Sequence, residues 1–293
     1  MSPIKRDKIL ITGAKGMLGT ALVQEFNQTP LPANRIPIII PTDLPELNVT
    51  QPKIIDKIIS LHPTIIIHLA AYTNVDGCES NPELCYSTNS MGTKNIAEAC
   101  KMLNIPMLLV STDYVFDGTK PIPYIEWDTP NPINIYGQTK LEAELWVKRL
   151  VKNYWIVRTS GLYGSKGKNF VNTIIQKLKE GEELRIVNDQ IGSPTYTKDL
   201  AQAIATLIRA NEFGTFHITN SGWVSWFDFG SYIANLIQIP NKLKSIDSTE
   251  LNRLSKRPKN WRLLNFMWQS VDKPLRTWQE AIDEYIGNHR PKH

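Results

Sequence analysis

The stretch NIYGQTKLE places Tyr136 four residues before Lys140. On a helix that spacing sets both side chains on one face, a turn apart. A phenol has a pKa of about 10 and is poorly matched to proton transfer at neutral pH. A neighbouring ammonium favours the phenolate and brings that pKa toward the working range. Tyr136 and Lys140 are therefore candidates for a proton donor and its electrostatic helper. Spacing alone does not settle it, because a chain with 10 tyrosines produces such pairs by chance. The elements that would position the pair have to decide.

Upstream of the pair, short apolar runs alternate with helical stretches. KILIT (8–12) precedes a helix from about Met17, and IPIII (36–40) one from about Pro52. TIIIHLA (64–70) precedes a helix from Pro82 to Leu103, and PMLLVST (106–112) one from Tyr136 to about Val151. The runs are β-branched and apolar on both faces, as parallel strands covered by helices require. The alternation predicts an α/β fold, a Rossmann-type doubly wound parallel sheet with right-handed crossovers. YWIVRTS (154–160) extends it, and beyond Gly164 the rhythm loosens. A helix is expected over 170–179, a strand at LRIV (184–187), a helix over 198–210 and a strand at FHIT (216–219), the last within a smaller lobe. Residues 113–135, rich in Pro, Asp and aromatics, read as a loop over a site.

Gly13, Gly16 and Gly19 in TGAKGMLG follow the first strand and open a helix. Glycines there permit a tight turn, close approach to a pyrophosphate and tight helix–sheet packing, while the helix amino terminus offers free N–H groups. Gly13, Lys15, Gly16, Met17, Leu18 and Gly19 are thus expected to hold a dinucleotide. The second strand ends in Asp43 and Leu44, 24 and 25 residues after Gly19. A carboxylate there hydrogen-bonds ribose hydroxyls and repels a 2′-phosphate, which favours NADH over NADPH, with Lys15 pulling the other way. Ala70, Ala71 and Tyr72 end the third strand, and small side chains let the dinucleotide lie against the backbone. Ligands of such sheets bind beyond the carboxyl ends of strands. Ser111 and Thr112, ending the fourth, would then converge with Tyr136 and Lys140 beside the nicotinamide, with Thr112 on the substrate oxygen. The expected organisation is residues 1–164 as the dinucleotide-binding domain with Tyr136 and Lys140, and 165–293 mainly as a substrate-binding lobe, part of which returns to the sheet.

A net charge of +5 without a dense basic run argues against a nucleic-acid partner. Cys78, Cys85 and Cys100 have no C-x-x-C spacing and read as reduced thiols. MSPIKRDKILITG lacks a signal-peptide core, and no apolar run approaches membrane-spanning length. A cytoplasmic protein without a membrane partner, monomeric or homodimeric, is expected. No HExxH or paired Cys/His pattern occurs, so no metal is expected. His68, among isoleucines, reads as a core residue, and Trp223, Trp226 and Phe229, which could form a substrate wall, read rather as packing by a Ser225 cap.

The set GAKGMLG, AAYTNVDGCESNPE, STDYVFDG, YGQTKLEAE, RTSGLYG, NFV and DQIGSPTYTKDLA resembles the extended short-chain dehydrogenase/reductases, and more closely the dTDP-4-dehydrorhamnose reductase family. The resemblance covers nearly the whole chain, including RPKNWRL (257–263). It implies reduction of the 4-keto group of dTDP-4-dehydro-L-rhamnose to dTDP-L-rhamnose by NADH or NADPH. Tyr136 would protonate the alkoxide, Lys140 would lower its pKa and hold the nicotinamide ribose, and Thr112 would orient the carbonyl. The resemblance also implies a cofactor contact from Asn89 and substrate contacts from Asp113, Gly161, Asn169, Ser193, Pro194 and Arg257. Related dehydratases carry Asp-Glu after the threonine; here Tyr114 follows Asp113, which favours simple reduction. The chain departs from the family at Gly161, where RTSW is usual, leaving Tyr163, Tyr124 or Trp127 as candidate replacements for the missing aromatic. It departs also at Asn48, often acidic, and at Ala21, where metal-dimerised members carry glutamate. Two alternatives remain: a reductase or epimerase for another 4-keto-6-deoxy nucleotide sugar, and a non-catalytic NADP-binding regulatory subunit.

Overall fold

The computed structural model describes residues 7–28, 37–239 and 242–289. Residues 1–6 of the stretch read for a signal peptide, and Ile36 of the second expected strand, lie outside them. The amino-terminal half runs β1 (Lys8–Thr12), α1 (Met17–Gln28), β2 (Ile38–Thr42), α2 (Ile54–Leu61), β3 (Ile65–His68), α3 (Val75–Ser80), α4 (Pro82–Cys85), a π-helical turn (Tyr86–Met91), α5 (Gly92–Leu103), β4 (Met107–Thr112), α6 (Ile135–Leu150) and β5 (Tyr154–Thr159). There follow β6 (Leu162–Tyr163), α7 (Phe170–Lys179), β7 (Leu184–Val187), β8 (Ile191–Gly192), β9 (Thr195–Tyr196), α8 (Thr197–Ala210) and β10 (Gly214–His217). The chain ends with β11 (Val224–Ser225), α9 (Trp226–Leu236), β12 (Leu243–Ile246), β13 (Asn260–Trp261) and α10 (Trp278–His289).

Six strands form one parallel sheet in the order β10-β5-β4-β3-β1-β2. This is the expected Rossmann-like sheet. Because β2 lies on one side of β1 and β3 on the other, the winding reverses there and a crevice opens at the strands' carboxyl ends. Alternation along each strand explains why the runs are apolar throughout. Ile9, Ile11, Ile67 and Val157 pack with α1 and α8 on one face. Leu10, Ile66, Leu109 and Ile156 pack with α2, α5 and α6 on the other. A third cluster joins α7, α9 and α10 through Ile174, Phe229, Ile233, Ile282 and Tyr285.

Four expectations change. The second strand is displaced to 38–42 and takes in Pro41, which an edge strand tolerates because one side needs no N–H. FHIT does not stay in a separate lobe: β10 extends the main sheet beside β5. The helix expected over 82–103 is divided by the π turn. Helix α3 was not foreseen; its signal was Asn74, whose side chain accepts from the Gly77 N–H at 3.0 Å as an N-cap.

Candidate active site

At the glycine turn the three glycines have different work. Gly13 has φ +69°, and a Cβ there would come within 2.8 Å of the Ala70 nitrogen at the end of β3. At Gly19 a Cβ would lie 2.4 Å from the Gly13 carbonyl, so α1 could not pack onto the turn. Gly16 has one neighbour, that same carbonyl at 3.1 Å, and otherwise faces open space. The first helical bond of α1 runs from Thr20 N–H to the Gly16 carbonyl (3.0 Å), leaving the Met17, Leu18 and Gly19 amides outside the ladder. Beside the turn is a cavity of about 370 Å³, lined among others by Lys15, Thr42, Asp43, Glu46 and Lys166. The Asp43 carboxylate accepts from the backbone N–H of Lys15 and of Leu44, each at 2.9 Å. A bare backbone surface, unpartnered amides and an anchored carboxylate suit a dinucleotide, with Met17, Leu18 and Gly19 toward the pyrophosphate and Asp43 toward a ribose. Lys166, from the segment before α7, was missed because nothing in its neighbourhood marks it in sequence.

Tyr136 lies in the first turn of α6 and Thr112 at the last position of β4. Gly137 explains how they meet: a Cβ there would sit 2.1 Å from the Tyr114 carbonyl, so only glycine lets α6 come this close. Asn134 caps α6 by accepting from the Gly137 N–H (2.8 Å), and Glu79 of α3 accepts from the Ile135 N–H (2.9 Å). Tyr114 packs edge-on to Tyr136 at 5.4 Å. Lys140 is buried and its Nζ donates to the Val110 carbonyl at 2.7 Å. Beneath it, the Glu144 carboxylate accepts from Ser111 Oγ (2.6 Å), Arg158 Nε (2.9 Å) and Arg158 Nη2 (2.7 Å), binding β4, α6 and β5 together. The sequence carried a signal for this pair: an arginine in an otherwise apolar strand, and a glutamate one turn beyond Lys140.

The charges differ from expectation at Tyr136. Burial, and then the Asp113 and Tyr114 side chains, hold its phenol above the ordinary value, with Thr112 opposing. The lowering expected from Lys140 is absent because burial dominates and the ammonium is directed at Val110. A phenol so held keeps its proton at neutral pH, which suits a proton donor. Burial also brings Lys140 down to about 8, against the pull of Glu144. Burial pushes Asp113 up to about 7, although Thr112 Oγ1 donates to its Oδ1 at 3.1 Å.

Several expected contacts are engaged within the protein. Ser111 points away from Thr112, as strand alternation requires, and its hydroxyl is bound to Glu144. Asn89, in the π turn, accepts from Tyr72 N–H (2.7 Å) and donates to the Tyr72 carbonyl and Thr139 Oγ1 (both 3.1 Å). It thereby pins the Ala70–Ala71–Tyr72 segment to α6, and the π turn is what aims it there. Asn169 caps α7 and donates to the Gly164 carbonyl (2.9 Å) next to Met17. Arg257 is held by Asp76 of α3 through two hydrogen bonds at 3.1 and 2.7 Å, so it is not a free cation. The Ser193 carbonyl accepts from Ser160 Oγ (2.8 Å), which lays Ser193 and Pro194 over Gly161.

Of the aromatics considered for the gap at Gly161, Tyr163 is buried between Tyr196 and Tyr285, Tyr124 stacks on Phe116, and Trp127 is exposed against Phe266. The ring that meets Gly161 is Trp261. His68 is a satisfied core residue, bonded to Thr12 (2.7 Å) and Thr93 (3.1 Å), and burial lowers its pKa to about 3. The reduced-thiol expectation fails for two cysteines. Cys78 and Cys85 form a disulfide with Cα atoms 5.3 Å apart, because α3 and α4 fold back on each other about Asn81, which sequence spacing does not reveal. Among the described residues no helix is long and apolar enough to cross a membrane.

Comparison with known proteins agrees with this geometry. The RmlD substrate binding domain family matches residues 7–290. A dTDP-4-dehydrorhamnose reductase of Aggregatibacter actinomycetemcomitans is 37% identical over 94% of this chain and 97% of its own. The crystal structure of a dTDP-4-dehydrorhamnose reductase from Clostridium acetobutylicum superposes with a TM-score of 0.91 at 40% identity, over 96% of this chain and 99% of that one. The Bacillus anthracis dTDP-4-dehydrorhamnose reductase, solved in complex with NADP, gives 0.91 at 37%, over 97% and 100%. Matched by the family over residues 7–290 and by these relatives along nearly their whole length, this oxidoreductase belongs to the dTDP-4-dehydrorhamnose reductase family.

Proposed function

We propose that the protein reduces the 4-keto group of dTDP-4-dehydro-L-rhamnose to dTDP-L-rhamnose. The observation that carries this reading is the meeting of Thr112, at the end of β4, with Tyr136 and the buried Lys140 of α6, beyond the carboxyl ends of the strands. A reduced nicotinamide dinucleotide, when bound, supplies the hydride for the 4-carbon. The protein's own residues supply the rest. Thr112 Oγ1 orients the carbonyl oxygen, and the Tyr136 hydroxyl gives its proton to that oxygen as it becomes the alcohol. Lys140 keeps a positive charge behind the phenol and holds the ribose. Gly13, Lys15, Gly16, Met17, Leu18, Gly19, Asp43, Leu44 and the Ala70–Tyr72 segment hold the dinucleotide; the anchored Asp43 carboxylate favours NADH, and Lys15 and Lys166 leave NADPH admissible. Asp113, Gly161, Asn169, Ser193 and Pro194 border the sugar nucleotide.

The test is loss of NADH or NADPH absorbance when the purified protein meets dTDP-4-dehydro-L-rhamnose generated in situ, with dTDP-L-rhamnose identified as product. Tyr136→Phe is expected to lower turnover by roughly 10²–10⁴-fold while dinucleotide binding is retained. A variant that kept most of its activity would remove Tyr136 as the acid. Dinucleotide binding without oxidation by the unaltered protein would favour a different 4-keto-6-deoxy sugar, a reading supported by Gly161.

A further inference from the structure

Two glycines from separate elements, Gly161 after β5 and Gly192 at the end of β8, pack against one indole, that of Trp261 on β13. A Cβ at Gly192 would lie 1.8 Å from Trp261 Cδ2 and 2.0 Å from Cε3, inside the ring system, so one face of the indole lies flat on this backbone. Trp226 stacks on the indole at 4.6 Å with an interplanar angle of 18°. The outer edge of the six-membered ring is directed at Gly161. Cζ3 and Cη2 come 3.0 and 3.3 Å from where a Cβ would be, beside the Pro194 Cα at 3.1 Å. Gly161 has φ +53°, a left-handed conformation that disfavours any larger side chain there. The indole N–H of Trp261 and the Ser193 hydroxyl of the adjoining turn are both buried without a protein partner. Gly161 is two residues beyond Thr159, the register partner of Thr112, so this corner continues the carboxyl end of the strand that pairs with that of Thr112.

We propose that Trp261 determines sugar specificity: its edge, brought in from β13, occupies the volume beside Gly161 and supplies the aromatic wall that residue 161 does not. The wall is carried by backbone contacts on Gly192 and a stack on Trp226, so it is fixed before substrate arrives, and it limits which sugars fit beside Thr112. This rests on the reductase reading above.

The test compares the affinities of dTDP and dTDP-L-rhamnose for the unaltered protein, Trp261→Ala and Trp261→Phe by calorimetry, with dinucleotide binding as a check on folding. Trp261→Ala is expected to weaken dTDP-L-rhamnose by roughly tenfold while dTDP and the dinucleotide stay within about twofold. Trp261→Phe keeps an aromatic stack but loses the outer edge, and is expected to show the same selective loss at about threefold. It carries the test if the alanine variant does not fold. Unchanged affinity for dTDP-L-rhamnose in the folded variants, equal losses for dTDP and dTDP-L-rhamnose, or no preference for the sugar nucleotide in the unaltered protein would each overturn the proposal. Failure of the unaltered protein to oxidise NADH or NADPH would remove the reductase reading while leaving this ratio measurable.

Discussion

The glycine turn at 13–19 and the corner at 161 and 192 are both built from missing side chains, yet they do opposite things. At the turn, Gly13 and Gly19 let backbone approach backbone, and Gly16 meets only the Gly13 carbonyl, at 3.1 Å, near a cavity lined by Lys15 and Thr20. At the corner, the space is already taken by Trp261 from a strand about 70 to 100 residues away in sequence. A glycine therefore states that a Cβ is not tolerated or not needed; it does not state whether a ligand or the protein fills the place. One region leaves space open where the first strand meets its helix, the other is filled by the chain's own aromatic.

The sharpest way to break this comparison is Gly192→Ala. Its methyl would fall within the Trp261 ring, so the variant is expected to lose roughly 1–3 kcal/mol of stability, read as a lowered thermal midpoint. On a Trp261→Ala background the same substitution should cost much less, because the nearest atoms its methyl would meet all belong to Trp261; an equal loss on both backgrounds would mean Gly192 is needed for its backbone. Gly16→Ala should separate the turn from the corner. Stability is expected to change by no more than about 0.5 kcal/mol, whereas dinucleotide affinity should fall roughly tenfold, or about 1.4 kcal/mol. Equal losses of stability and affinity would place Gly16 in the packed class with Gly19.

The smallest effect lies between the two regions, at Asp113. Its folded pKa of about 7 exceeds the ordinary 3.8, so its contribution is full below that ordinary value and is lost as pH rises through about 7. Replacing it by Asn should flatten the decline of the thermal midpoint across this window; an unchanged slope would show that Asp113 is ionised throughout. Tyr136 responds to the same burial in the same direction, which keeps a proton on the phenol, as a reductive step requires.

Much of the framework was legible because it depends on local pattern. β-branched runs of five or six residues, alternating with amphipathic helices, can pair only as a covered parallel sheet, and Tyr136, Lys140 and Thr112 follow from where its strands end. The π turn was not legible, since its Asn89 is held by Tyr72 and Thr139 across the fold rather than by a local pattern. Nor was the ion pair of Arg257 with Asp76, 181 residues apart in sequence.

What the sequence by itself determined is the set of positions where backbone must pass unobstructed and the alternation of strands with helices, because these rest on residue size and period. What only the tertiary structure decided is who occupies the remaining space and who holds each charge. Trp261 against Gly161 and Arg257 against Asp76 are contacts between segments whose distance in sequence bears no relation to their distance in space. Burial then sets their energetics, raising the Tyr136 phenol where a neighbouring lysine read in sequence would have lowered it.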